Sequence, residues 1–569
     1  MKIEPRIEND RKVIRMRTLL AIALTGAMAA LSGADWSSES GNPQRDGWAR
    51  GETEILKENV QGLQFLYKMQ LDNRARGLES LTTPIVLTNL ITYRGFKEML
   101  FLGGSSGNVY SVDAALDRLL WKTHFDSKTG QPDKNPTPSC PGGLTASIAI
   151  TGGSSPMDRT FRPAVKPAAA TGANPSAAVR DPEENGIFSS GFGRNGFVFA
   201  IGGDGYLRFV RQSDGNDAAF APVKFVPPNS KVSAINVFGT TVYAATTGAC
   251  GGAPNAVYAV DLGGPERNVV SFPTNGGGPS GAGGTAIGAN GTVYIHVENG
   301  HGDVAGVYNG TVLALNPKDL SVEDYFTPSG PAPATRKGPA PPEITPAIFQ
   351  WKGKDVIVAA GNGGVVYLLS AASLGGPDHN TPLSSADPVA LAGSNFSGYG
   401  LRGDFSTWVD PESGARWIYA ALHGPAAANF PTANGPAPNG AIVAFKVEER
   451  NGLPALTPQW ISRDLLSPTS PITTNGLVFA LSSGESSRLA KENGALYSFA
   501  EREKMAAHAT LYALDGATGK ELFSSGAAIS SFSHNSGLAL ANGRVYFTTR
   551  DNTVYCYGFP AREPQLTER

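Results

Sequence analysis

Three things are scarce in this chain. It has three cysteines in 569 residues, too few to staple a fold of this length, and a core of this size needs no staples. Charged residues are 17%, below the usual quarter, and the formal net charge is −2. A weakly charged, unpatterned exterior argues against nucleic acid or an anionic membrane as partner. No His-Glu-x-x-His sequence and no phosphate-binding loop occurs, which removes two large enzyme classes. Long apolar runs are also missing. The best, Leu19 to Leu31, is too short and too rich in small residues to span a bilayer. What is plentiful is glycine and proline, 69 and 41 residues, the composition of a turn-rich, all-β chain.

Within that background one short pattern recurs eight times. Val109-Tyr-Ser-Val-Asp113, Val257-Tyr-Ala-Val-Asp261, Val312-Leu-Ala-Leu-Asn316 and Leu511-Tyr-Ala-Leu-Asp515 are nearly interchangeable. Weaker copies begin at Tyr206, Val366, Ile442 and Val554. Asn-Gly pairs at Asn195, Asn290, Asn475 and Asn542 precede a second apolar strand, and Asn-Gly is a strong hairpin signal. Turns such as Gly103-Gly-Ser-Ser-Gly107 join that strand to the repeat strand, and a last strand follows in complete copies. The unit is a four-stranded antiparallel meander. It cannot cover its own apolar face, so units must pack on one another. Radial packing of eight such units predicts an eight-bladed β-propeller.

The stretch Leu511-Tyr-Ala-Leu-Asp-Gly-Ala-Thr-Gly-Lys520, with Val109 to Trp121, resembles the repeat of PQQ-like, quinoprotein-type propellers. The resemblance covers roughly residues 35–560 at the level of repeats. It implies the fold and leaves activity open, because enzymes and non-enzymatic envelope proteins share the repeat.

Residues 1–34 read as an export signal: Lys12, Arg15 and Arg17, the apolar run, then Ser32-Gly33-Ala34. The protein is therefore expected in the periplasm or secreted, as a monomer without a membrane span. Residues 35–560 are expected to form one domain and 561–569 a tail. Leu63 to Tyr67 is expected to supply the missing outer strand of blade eight, and Asn42 to Trp48 to pack over that seam. In strand order A (inner) to D (outer), B–C and D–A connections share one face. The long connections Gly248–Asn255, Glu298–Asn309, His423–Asn439 and Ser482–Ala509 are B–C. Residues 127–190 are read as a single long D–A loop. This predicts a loop-rich face that takes a protein, a glycan or a small molecule.

Candidate site residues gather on that face. Glu343 and Asp404 are candidate catalytic carboxylates. Arg402, His534, Asn535 and Asn299 are candidate cofactor contacts, and His301, Asp303 and His423 candidate metal ligands. Each has an ordinary alternative as a capping or loop-tethering residue. Cys140 and Cys250 fall on one face of neighbouring blades, where a disulfide can form, while Cys556 reads as a buried small hydrophobe.

The family resemblance adds one activity, a dehydrogenase holding pyrroloquinoline quinone (PQQ) on Ca²⁺ through Glu, Asn and Asp oxygens. Several motifs depart from it. There is no adjacent Cys-Cys pair and no Cys-x-x-Cys-His. The blade-four region reads Glu298-Asn-Gly-His-Gly-Asp303, and a Pro-rich stretch precedes Glu343. The reading that follows is an exported binding or scaffold propeller, with a PQQ- and Ca²⁺-dependent dehydrogenase of alcohols or sugars as the alternative.

Overall fold

The computed structural model describes residues 35–560 apart from 93–94, 126–136, 138–139, 151–195, 217–219, 265, 299–307, 329–342, 362–363, 391–398, 428–429, 432 and 494. The expected export signal and tail lie outside the described residues.

Eight small sheets form eight blades of an all-β propeller. The hairpin signals act as their chemistry requires. At Asn475-Gly476 the φ angles are 45 and 72, and at Asn542-Gly543 they are 46 and 71, the paired positive values of a tight β-hairpin. The repeat strands Asn108–Asp113, Ala256–Asp261 and Thr510–Asp515 are third in their blades, buried almost throughout. One apolar cluster runs through blades seven, eight, one and two, including Leu511, Leu540, Val554, Leu100 and Val198. The faces a single meander leaves bare are covered by its neighbours. Among the described residues no helix is long and apolar enough to cross a membrane.

The ring is closed from both ends of the chain. Gln64–Gln70 pairs antiparallel with Thr553–Gly558 and is the outer strand of blade eight. Tyr67 Oη also donates to Ala114 O at 3.0 Å, tying the closing strand to blade one.

Two sequence readings need correction. The inner strand of blade two is Ala149–Ile150, pairing with Val198 and Phe199. The stretch read as one D–A loop over 127–190 is therefore divided. The D–A connection ends at residue 148, where the inner strand begins, and residues 151–195 lie outside the described residues. A two-residue strand carries too little alternation to be seen in sequence. Asn42–Trp48, expected over the seam of blades eight and one, packs instead against blades three to seven.

Candidate functional site

In a propeller the eight inner strands turn a free hydrogen-bonding edge toward the axis, and an uncovered edge is a liability. Here residues 36–52, a strap, visit the blades in order. Trp36 exchanges two backbone bonds of 2.9 Å with Val86 of blade one. Ser37 O accepts from Ile150 N of blade two. Pro43 O accepts from Asn236 Nδ2 of blade three and Ile287 N of blade four. Gln44 O, Asp46 O and Gly47 O accept from Ile348 N, Thr407 N and Thr473 N of blades five, six and seven. Glu52 Oε2 accepts from Gly543 N of blade eight at 2.9 Å. Ser40 and Arg45 turn the strap with left-handed backbone, φ 53 and 58.

Three charged side chains meet on this strap at the axis. Arg45 is fully buried, and its guanidinium donates to four carbonyls: Thr285 O, Glu39 O, Ile235 O and Gly283 O, at 2.6 to 3.3 Å. Asp404 is fully buried as well; its carboxylate accepts from Ser40 Oγ at 2.6 Å and Gly283 N at 3.0 Å. Glu39, 2% exposed, accepts from Ser147 Oγ at 2.7 Å. Burial, then the Asp404 charge, pushes the Glu39 carboxyl up to about 7. Burial likewise lowers the Arg45 guanidinium from its ordinary value, against the pull of both carboxylates.

Asp404 reaches the axis through a bulge in Gly400–Val409. The register slips between Arg402 and Ser406, and Gly403 has φ +81. Glu343–Thr345 lies parallel to this strand, with Glu343 opposite Arg402 and Thr345 opposite Asp404. The backbones of three candidates are thus adjacent; the Glu343 side chain lies outside the description. Asn299, His301 and Asp303 also lie outside the described residues. His423 sits on the blade-six strand end, its Nε2 2.9 Å from Pro468 O, in a loop-tethering position.

His534 and Asn535 belong to a second cluster. His534 Nδ1 is 2.6 Å from Glu485 Oε2, and its Nε2 is 3.6 Å from Glu79 Oε1. Asn535 Nδ2 donates to Glu79 Oε1 at 2.8 Å, and Arg502 pairs with Glu485. The two carboxylates outweigh burial and raise the imidazole to about 9. Glu485 is held down at about 2, against burial, by His534 first and Arg502 second. Arg502 lies on the helix Phe499–Met505 of the blade-seven insertion, whose N-terminus is capped by Ser498 and Glu501 in a capping box. The cluster therefore clamps that insertion to blades eight and one.

Cys140 and Cys250 form a disulfide closing 110 residues of chain, and it ties the D–A connection before blade two to blade three. Cys556 is buried. A cavity of about 430 Å³ lies at the outer rim between blades six and seven, lined by Asn434, Arg463, Asp464 and Glu521 among others. Gly103-Gly-Ser-Ser-Gly107 matches the Gly-x-Ser-x-Gly string of serine hydrolases, but it turns between two antiparallel strands. Its Ser105 Oγ donates to Glu79 O at 3.0 Å.

The described residues do not fit a Ca²⁺-bound quinone. A hard cation of this kind takes six to eight oxygens. Both oxygens of Asp404 already accept internal bonds, burial favours the neutral form of the Glu39 carboxyl, and Arg45 supplies the positive charge. Among the described residues no three His, Cys, Asp or Glu side chains group as a metal site.

Sequence reasoning missed Glu39 and Arg45. The visible signal was a charged Arg45-Asp46 pair inside a Ser-, Gly-, Asn- and Pro-rich stretch of a weakly charged chain.

No family model and no curated protein matches the sequence. Solved structures do match in fold. The quinohemoprotein alcohol dehydrogenase of Comamonas testosteroni aligns with TM-score 0.53 and 14% identity, over 94% of this chain and 82% of that one. The quinohemoprotein alcohol dehydrogenase ADHIIG of Pseudomonas putida HK5 gives 0.52 and 15%, with the same coverages of 94% and 82%. A europium-containing methanol dehydrogenase gives 0.52 and 11%, over 92% of this chain and 98% of that one. Identities this low carry the fold and not the activity. The chain is an eight-bladed β-propeller similar in fold to the quinoprotein alcohol dehydrogenases.

Proposed function

We propose that this protein is an exported, monomeric binding or scaffold propeller that takes its ligand or partner on the outer loops rather than at the ring axis. The observation that carries this reading is the axial triad: Glu39, Arg45 and Asp404 are buried to 2% or less and satisfied by the chain's own groups. A fixed set of polar groups spent on the strap offers little to an incoming ligand.

Long B–C connections occur in blades three, six and seven. Two of them are braced: by the disulfide in blade three and by the Glu485–His534 clamp in blade seven. Bracing favours recognition, because less loop entropy is lost on binding. The rim cavity beside the blade-six insertion differs from the axis in exposure: Arg463 pairs with Glu521 and Asp464 accepts from Asn439, but Arg463 and Glu521 are open to solvent, where a polar ligand can compete for them.

The test is reconstitution of the purified protein with PQQ and Ca²⁺, read by absorption and by dye-linked alcohol or sugar oxidation. No quinone uptake by the folded protein is expected. Stoichiometric uptake with turnover replaces this reading by the dehydrogenase.

A further inference from the structure

The axial triad is unbalanced: two carboxylates share one guanidinium, and that guanidinium gives its hydrogen bonds to carbonyl oxygens rather than to either carboxylate. The place is also mechanically sensitive. Glu39 belongs to the strap, its donor Ser147 to blade two, and Asp404 to blade six. Ser40, next to Glu39, is the residue bonded to Asp404.

We propose that the strap is a proton-operated seal of the ring axis: a proton on the Glu39 carboxyl holds residues 36–48 against the inner strands, and its loss loosens them.

The groups around Glu39 support this. Thr83 of blade one and Ser147 of blade two face it as uncharged hydroxyls. Gly537 of blade eight stands where even a Cβ would come 2.6 Å from Glu39 Oε1. The charged groups acting on it are Asp404, which opposes ionisation, and Arg45, which favours it more weakly. Ionised Glu39 thus brings a second negative charge into a buried site with Asp404, where Arg45 is the one cation acting on both. Releasing the strap hydrates both carboxylates, so release is the available relief.

The sign follows from linkage. Glu39 has an ordinary value near 4.5 when released and is raised to about 7 in place. The seal is therefore fully held below 4.5 and weakens as pH rises toward about 7, where the effect levels off. Strap opening rises about tenfold per pH unit across that window, since one proton is lost on opening.

The experiment is hydrogen exchange read by mass spectrometry on peptides covering 35–50, from pH 4.5 to 8.5, with intrinsic rates corrected. Wild type should lose protection there as pH rises to about 7, while peptides from the repeat strands hold theirs. E39Q should stay protected at every pH. D404N should shrink the total rise, because the opposing charge is gone. A flat wild-type profile over 35–50 overturns the proposal, whatever the variants do. So does E39Q if its pH dependence equals that of wild type.

Discussion

The imidazole of His534 lies between two carboxylates, and all three side chains are 9 to 14% exposed. Withdrawn charges of this kind are costly to orphan. His534→Ala should lower stability by about 3 kcal/mol, at the low end for a broken buried pair because Glu485 keeps Arg502. Chemical denaturation at pH 6 measures it. The pH profile has two limbs. His534 is raised to about 9, so its contribution is complete below 6.5 and is lost as pH climbs through about 9. Glu485 is lowered to about 2, so its share is complete above 4.5 and disappears as pH falls through about 2. Calorimetry across pH 2 to 10 should show both limbs in wild type, with the alkaline one flattened in the Ala variant. His534 was legible as a candidate because it stands before the blade-eight inner strand. Its partners were not, since Glu485 lies 49 residues away and Glu79 on the far side of the ring closure.

The strap is an element without regular secondary structure, held mainly through its backbone. Gly41 has φ +86, and a Cβ there would meet the Trp36 ring at 2.9 Å. Gly41→Ala should destabilise by about 1 to 2 kcal/mol from the left-handed backbone alone, plus whatever the ring contact adds. Exchange over 35–50 should rise while the blade strands are unaffected. The disulfide is the other non-strand tie. Cys140→Ser with Cys250→Ser should cost about 2 to 5 kcal/mol, toward the upper end because the loop closed is 110 residues long. Thermal unfolding with and without reductant should give the same loss for wild type. A variant no less stable than oxidised wild type would show that the tie adds nothing.

On the scale of the whole ring, closure and axial seal come from adjacent pieces of the N-terminal chain. A chain starting at Leu71 lacks both. It leaves Thr553–Gly558 with an unpaired edge carrying Tyr555 and Tyr557, and should associate more than the full-length protein, as light scattering after size exclusion would show. A chain starting at Leu63 keeps the closing strand and should keep the association state of the full-length protein, with lower thermal stability. The amino-acid sequence by itself determined the blade count, the strand order within a blade and the closing strand at Leu63–Tyr67. Those features depend on local alternation and turns, whose residue types are specific: two positive φ angles at Asn475-Gly476 call for Asn-Gly. Only the tertiary structure decided where the strap runs, what His534 meets, and that Ala149–Ile150 is the inner strand of blade two. The strap is bound largely through its carbonyl oxygens, which every residue possesses, so its path leaves little trace in side-chain identity. Its acceptors find their donors only when inner strands hundreds of residues apart converge on one axis. The charges that converge there, Glu39, Arg45 and Asp404, take their properties from burial, which exists only in the closed ring.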